Sequence, residues 1–175
     1  MTLDQLAKRY GTDKSSMGHN YMPFYERILP KNPKSIMEIG VYKGASMKVW
    51  RDYFPDTQLY GLDLFAKKDF PDIEGVQWFK GNQSDEYILE HIRYNIKPQV
   101  IIEDASHNCI AHWVTLFSLI SCCEIYIIED LHTCSDTPYM QGLKFEQTVL
   151  GAIKTGKFPF RYDLHNDKIV AIYPD

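Results

Sequence analysis

Two short phrases carry the residues most able to do chemistry: "IIEDASHN", from Ile101 to Asn108, and "IIEDLHT", from Ile127 to Thr133. Each ends an apolar run in two acids, a short gap and a histidine. As the carboxyl ends of neighbouring strands in an open parallel sheet, they bring Asp104, Glu129 and Asp130 out side by side, at the edge where ligands collect. Three carboxylates so placed repel one another unless something positive sits among them, and a hard divalent cation meets that need. Carboxylate ligation favours magnesium, or manganese, over zinc, which prefers nitrogen and sulfur donors. Three protein oxygens leave about three positions of an octahedral ion open, enough for two acceptor oxygens and a water. His107 follows Asp104 closely, and an imidazole with a pKa near ~6.5 suits a general base. His132, beyond Asp130, is expected to position or support the acceptor. Strand alternation turns Glu103 away from Asp104 and leaves it out of the set. The same alternation lets Glu129 and Asp130 face one ion only if the strand ends there and the backbone turns.

These residues need a sheet to carry them. Apolar runs rich in Ile, Val and Tyr recur along the chain: "SIMEIGV", "QLYGLDL", "VQWFKG", "QVIIEDA" and "EIYIIEDL". They lack clean alternation, the pattern of strands buried on both faces. Helical spacing lies between them. In "NCIAHWVTLFSLI", Trp113, Leu116, Phe117 and Ile120 fall on one predicted helical face. "SDEYILEHI" opens with Ser84 as the expected N-cap and with Asp85 and Glu86 in the first turn, where the helix dipole favours acids. "QGLKFEQTVLGAIKTGK" reads as one helix, and "FRYDLH" and "KIVAIYP", parted by Asn166 and Asp167, as a tight hairpin. Upstream, "LDQLAKRYGTDK" and "YMPFYERIL" predict two short helices flanking a polar loop. The pattern implies an α/β, doubly wound, mostly parallel sheet, closed by an antiparallel C-terminal hairpin and preceded by a short helical segment.

Composition bounds the partners. At 175 residues the chain is long enough for one domain with a full core. A formal charge of −4, with no basic block, argues against nucleic acid. No apolar stretch approaches the roughly 20 residues that cross a bilayer, and no leader pattern opens the chain, so a soluble cytoplasmic protein is expected, with no membrane partner. Cys109, Cys122, Cys123 and Cys134 form no Cys-x-x-Cys pair and are expected to be reduced and structural. His112 and His165 read as structural, and His91 as a solvated helix residue. A homo-oligomer is left open.

"MEIGVYKGAS" ends the first run and opens a helix near Ala45. Gly40 and Gly44 allow a tight turn beside an electropositive helix terminus, and the Gly-x-x-x-Gly spacing departs from the dinucleotide pattern Gly-x-Gly-x-x-Gly. Asp63, at the end of "GLDL", stands where a doubly wound fold offers a carboxylate to ribose hydroxyls. Order and separation together favour an adenosine-containing ligand.

The phrases "EIGVYKGAS", "GLDL", "GNQSD", "EDASH" and "EDLHT", preceded by "KRYGTDK" and "HNYMPFYE", resemble the class I S-adenosylmethionine-dependent methyltransferases, whose core is Rossmann-like and seven-stranded. Within them they are similar to the metal-dependent O-methyltransferases that act on macrolide deoxysugars and to relatives from polysaccharide gene clusters. The likeness runs from about Leu6 to Thr133. It implies that Glu38, Gly40 and Gly44 surround the methionine part of S-adenosyl-L-methionine, that Asp63 takes the ribose and that Gln83 lies by the adenine, with Asp104 also close to the cofactor. Thr12, Lys14, His19 and Tyr21 are implied to fold over its amino-acid end, making residues 1–33 a helical lid on a core of residues 34–175. The family usually has an acid where this chain has Asn82; an amide can still accept a hydrogen bond there but brings no charge.

The function expected is a magnesium-assisted methyl transfer to one hydroxyl of a vicinal diol, on a sugar or a glycosylated natural product. The partner is then a small-molecule or carbohydrate acceptor. A catechol-like phenol presents the same two oxygens and stays open as the acceptor, as does a non-catalytic module that binds cofactor or sugar.

Overall fold

The computed structural model describes residues 1–64 and 72–174. Helices α1 (Leu3–Tyr10) and α2 (Met22–Ile28) precede strand β1 (Ser35–Ile39), followed by α3 (Ala45–Tyr53), β2 (Gln58–Asp63), β3 (Val76–Lys80) and α4 (Glu86–His91). Then come β4 (Val100–Glu103), α5 (Cys109–Leu119), β5 (Ile125–Ile128), the short α6 (Thr137–Met140), α7 (Val149–Lys154) and the hairpin of β6 (Arg161–His165) and β7 (Ile169–Tyr173). The strands form one seven-stranded sheet in the order β3-β2-β1-β4-β5-β7-β6. The first five are parallel, and β7 runs antiparallel to both β5 and β6. This is the expected α/β architecture. Strand order reverses between β1 and β4, the place where such sheets open a crevice.

Both faces of the sheet are covered, which is why its central strands read as unbroken apolar runs. On one side Ile36, Ile102 and Ile127 pack with Leu3 and Leu6 of α1, Phe24 and Tyr25 of α2 and Trp50 of α3. On the other, Met37, Ile101, Tyr126 and Ile128 pack with Leu89 of α4, Leu116 of α5 and Leu150 of α7. Helices α1 and α2 thus share the core of the sheet. Thr2 and Gln5 cap the start of α1 reciprocally, and Gly11, in the left-handed conformation, ends it and turns the chain into the polar loop.

Local readings differ from the structure at three points. The N-cap of α4 is Asp85, whose carboxylate accepts from the Ile88 amide, whereas the Ser84 amide is bound by Asn82; Asp outcompetes the neighbouring hydroxyl because a carboxylate is the stronger acceptor. The single helix expected over 141–157 is broken: a short 3-10 turn (Phe145–Gln147) packs so tightly on α7 that a Cβ at Gly151 would lie 1.8 Å from the Phe145 carbonyl, and Thr148 caps the new start. On α5 the buried face is Cys109, His112, Thr115, Leu116 and Leu119, while Phe117 is 56% exposed and stacks on Trp113. Two polar residues are buried there because His112 meets the Glu103 carboxylate and Thr115 bonds Gln83.

The C-terminal hairpin turns as expected. Asn166 and Asp167 both have positive φ, and the Lys168 amide closes the turn onto the His165 carbonyl. No helix among the described residues is long and apolar enough to cross a membrane.

Candidate active site

The carboxyl ends of β1, β2 and β4 open on a cleft of about 850 Å3, lined by residues of the polar loop, the glycine loop, Asp63, Gln83, Asp104, His107 and Asp130. The glycine loop is built by two devices. Asp63 at the end of β2 accepts the amides of Val41 (3.0 Å) and Tyr42 (2.8 Å) through one oxygen, clamping the turn. Gly40, with φ 93°, lies against the next strand end, where a Cβ would stand 2.1 Å from the Asp104 carbonyl and 2.5 Å from the Ala105 Cα. Its small size therefore serves the contact between the two site loops. Gly44, also at positive φ, takes the N-cap position of α3.

The acids at the strand ends divide by face. β4 and β5 pair Ile101 with Tyr126, Ile102 with Ile127 and Glu103 with Ile128. Asp104 and Glu129 therefore emerge on the side of α1 to α3, and Glu103 on the side of α5. Asp130 reaches the cleft because its φ of 55° turns the backbone out of the strand. Asp104, His107 and Asp130 bring one ligand atom each to within 4.8 Å of one another, the one such cluster found among the described residues. His107 Nε2 lies 3.8 Å from Asp130, and its Nδ1 is buried without a hydrogen-bond partner.

Lys14 takes up the positive role among these acids. Its side chain is 2% exposed, and its ammonium bonds Asp104 and, at 2.7 Å, Glu129, with Glu38 at 3.8 Å. Burial alone would lower its pKa, but Asp104, Glu129 and Glu38 reverse that and hold it well above the ordinary lysine value. Tyr25 donates its hydroxyl to the other oxygen of Glu129. Burial pushes the Glu129 carboxyl well above its usual range, against the pull of Lys14. Burial likewise raises Glu38 to about 7, although Lys14, Ser46 and Trp50 favour its charged form. Asp104 is raised by burial too, again against Lys14.

The expected site residues can now be placed. Asp104, His107 and Asp130 come together, whereas Glu129 is spent on Lys14 and Tyr25 and stands outside that cluster. Tyr21 donates to Asp130 at 2.6 Å, and its phenol is held far above its ordinary pKa by burial and by that carboxylate. His19 stacks on Tyr21, with Nε2 4.0 Å from Asp130, and His132 Nδ1 is 4.0 Å from the same acid. Thr12 is buried on the cleft wall, where its hydroxyl accepts the Lys14 amide at 3.4 Å. Gln83 lines the cleft, yet its amide is committed to Glu103, Thr115 and the Ser106 backbone. Glu38 is held by Ser46 and Trp50 of α3. Sequence reading missed Tyr25 as a site residue and the pairing of Lys14 with protein acids. The spacing of Tyr21 and Tyr25, one helical turn apart, is the signal that could have found the first.

The two carboxylates at one cleft edge suit a hard divalent cation, and the imidazole beside them can act as a base through Nε2. Lys14 is buried against one of these acids, Asp104, and against Glu129 and Glu38, so positive charge is already drawn to this edge.

No protein-family model matches the chain. The sequence is 32% identical over 146 residues to the 8-demethyl-8-(2-methoxy-alpha-L-rhamnosyl)-tetracenomycin-C 3'-O-methyltransferase of Streptomyces olivaceus, a match covering 75% of this chain and 37% of that protein. It is 31% identical over 145 residues to the mycinamicin VI 2''-O-methyltransferase of Micromonospora griseorubida, covering 75% of this chain and 36% of that one. Among solved structures, the MycE methyltransferase of the mycinamycin pathway, in complex with Mg, SAH and mycinamycin VI, superposes with a TM-score of 0.85 at 23% identity, over 99% of this chain and 54% of that one. SAH-bound PaMTH1 of Podospora anserina gives a TM-score of 0.65 at 16% identity, over 99% of this chain and 88% of that one. The chain therefore has the methyltransferase fold and is similar in sequence to sugar O-methyltransferases, the resemblance its motifs carry. It spans well under half the length of the curated relatives it matches.

Proposed function

We propose that this chain is an S-adenosylmethionine-dependent, magnesium-assisted O-methyltransferase acting on one hydroxyl of a vicinal diol, on a sugar or a glycosylated small molecule. The observation that carries this reading is the cleft lined in common by Gly40, Asp63 and the Asp104, His107 and Asp130 cluster. The acceptor class is supported by the sugar-directed names of the similar proteins. When bound, S-adenosylmethionine supplies a sulfonium methyl group, and magnesium or manganese orients the acceptor oxygens and lowers the pKa of the hydroxyl.

The chain's own residues then have distinct tasks. Asp63 keeps the glycine loop closed and offers its carboxylate to a ribose; Gly40 keeps that loop against Asp104. Asp104 and Asp130 would hold the cation, Asp104 while also facing Lys14, and Glu129 would join them only if Lys14 gave way. Tyr21, on which His19 stacks, fixes the orientation of Asp130. His107 takes the acceptor proton at Nε2, since its Nδ1 is enclosed, and His132 steadies the acceptor beside Asp130. The loop carrying Thr12 and Lys14 covers the cleft and excludes water from a reaction that needs mainly alignment of nucleophile and sulfonium. Residues 1–33 act as a lid in this sense, although their helices belong to the common core.

Calorimetry with S-adenosylmethionine, with and without magnesium, followed by an acceptor panel of rhamnosylated and other deoxysugar glycosides and catechols, tests the reading. Cofactor binding and methylation of a glycoside diol is the expected result. Absence of cofactor binding in both conditions would overturn it, and tight binding without product on any acceptor would favour a non-catalytic module.

A further inference from the structure

Glu103, left out of the metal set on alternation grounds, is completely buried on the face of β4 opposite Asp104. Its carboxylate accepts the Tyr126 hydroxyl at 2.6 Å and the Gln83 amide at 2.8 Å, and meets His112 Nδ1 at 2.8 Å. Burial alone would lower the His112 pKa, but the carboxylate outweighs it and raises it. Tyr126, Gln83, His112 and Thr115 are themselves all buried. The consequence falls on Gln83. A carboxylate accepts only, so the amide must present its NH2 group to Glu103, which sends its oxygen the other way. That oxygen accepts the Ser106 backbone amide at 2.9 Å. Ser106 lies between Asp104 and His107, in the loop where His107 is held at φ 54°. A left-handed histidine is a strained conformation that persists only where its surroundings enforce it.

We infer that Gln83 is a positioning residue: its amide, oriented by Glu103 from beneath the sheet, clamps the Asp104–His107 loop and so sets the cation ligand and the base relative to each other. The inference deepens the proposed function and rests on it for the roles of Asp104 and His107; the clamp itself does not. It also differs from the expectation that Gln83 serves the adenine, since the amide's oxygen and NH2 group are both engaged with protein. His112, Tyr126 and Thr115 hold the clamp in place without touching the cleft chemistry.

The test uses the full chain and the variants Gln83→Leu, which keeps most of the volume and removes the clamp, and Glu103→Gln, which keeps the shape and removes the charge that orients the amide. Hydrogen exchange of the Ser106 amide, Mn2+ affinity without cofactor, and S-adenosylmethionine affinity are read separately. In Gln83→Leu, Ser106 exchange is expected to accelerate at least about tenfold and Mn2+ affinity to fall about tenfold, the usual size for an outer-shell partner of a metal ligand. S-adenosylmethionine affinity should stay within about threefold, and any turnover should lose kcat at unchanged KM for the cofactor. Glu103→Gln should move in the same direction by less, and it carries the test if Gln83→Leu fails to fold. Unchanged Ser106 exchange overturns the clamp, as does loss of cofactor affinity with Mn2+ affinity intact, which would return Gln83 to the adenine. If the wild-type chain binds neither cofactor nor Mn2+, the proposed function fails while the exchange measurement still decides the clamp.

Discussion

The phrases "IIED" at Ile101 and at Ile127 are identical, yet the sheet uses them differently. Parallel pairing sets Ile101 against Tyr126, one residue out of step with the sequence echo. Since successive strand residues point to opposite faces, a shift of one reverses every side chain. The first acid of the β4 phrase, Glu103, therefore goes beneath the sheet to His112, Tyr126 and Gln83, while the first acid of the β5 phrase, Glu129, goes to the cleft side with Lys14 and Tyr25. The second acids meet all the same, because Asp104 follows the strand and Asp130 leaves it through a left-handed turn. Repetition in sequence is not equivalence in space. Here it yields two buried acids held on opposite faces of the sheet, and two partly exposed acids that line the cleft.

The sharpest way to break this comparison is through the histidines that close the two phrases. His107→Ala is expected to lower kcat about 1000-fold if it is the general base, whereas His132→Ala should cost less than about tenfold. Steady-state kinetics on a glycoside acceptor decides, and equal losses would mean that the phrases contribute alike. Next is the buried cation that the two phrases share, through Asp104 of one and Glu129 of the other. Lys14→Met leaves Glu129 uncompensated and should cost about 3 kcal/mol in urea unfolding, with part of the loss restored by adding Glu129→Gln. Additive losses in the double variant would deny the pairing.

A smaller effect separates the two acids of the β4 phrase. Asp104→Asn is expected to weaken Mn2+ binding about a hundredfold, roughly 2.7 kcal/mol, well beyond the loss expected from Glu103→Gln. Equal losses would erase the distinction between ligand and support. The smallest is a pH dependence on the cleft side. Glu38 has its folded pKa raised to about 7 from 4.5, so folding takes up a proton, and its contribution favours the folded state at low pH and is lost as pH rises toward 7. Between about pH 5 and pH 7 this amounts to about 2 kcal/mol of lost stability, and Glu38→Gln should flatten that part of the curve. An unchanged slope would show that Glu38 is not the group responsible.

Much of the fold was legible beforehand because it rests on local pattern. The five parallel runs, the hairpin at Asn166 and Asp167, and the helices flanking the polar loop follow from run length, apolar content and turn residues. The readings that failed had both distant and local causes. On α5, His112 is buried because it meets Glu103, and Thr115 because it bonds Gln83. The 141–157 segment, by contrast, breaks because Gly151 admits the nearby Phe145 carbonyl, and α4 starts at Asp85 because a carboxylate caps better than the hydroxyl before it. The site was legible to the same extent. Asp104, His107 and Asp130 were visible as acids and an imidazole at strand ends, whereas the burial of Lys14 among Asp104, Glu129 and Glu38 was not, since it depends on how the loop after α1 crosses the sheet edge.

Local order along the chain was enough to establish that acids end the apolar runs, that a glycine turn precedes Asp63 and that strands alternate with helices, because each is a matter of neighbours in sequence. Which face each acid occupies, and which of them shares a cation with which, came from the pairing of β4 with β5 and from the path of the N-terminal loop. Both are contacts between residues far apart in the chain. A one-residue change in either would leave the sequence motifs untouched and rearrange every charge around the cleft.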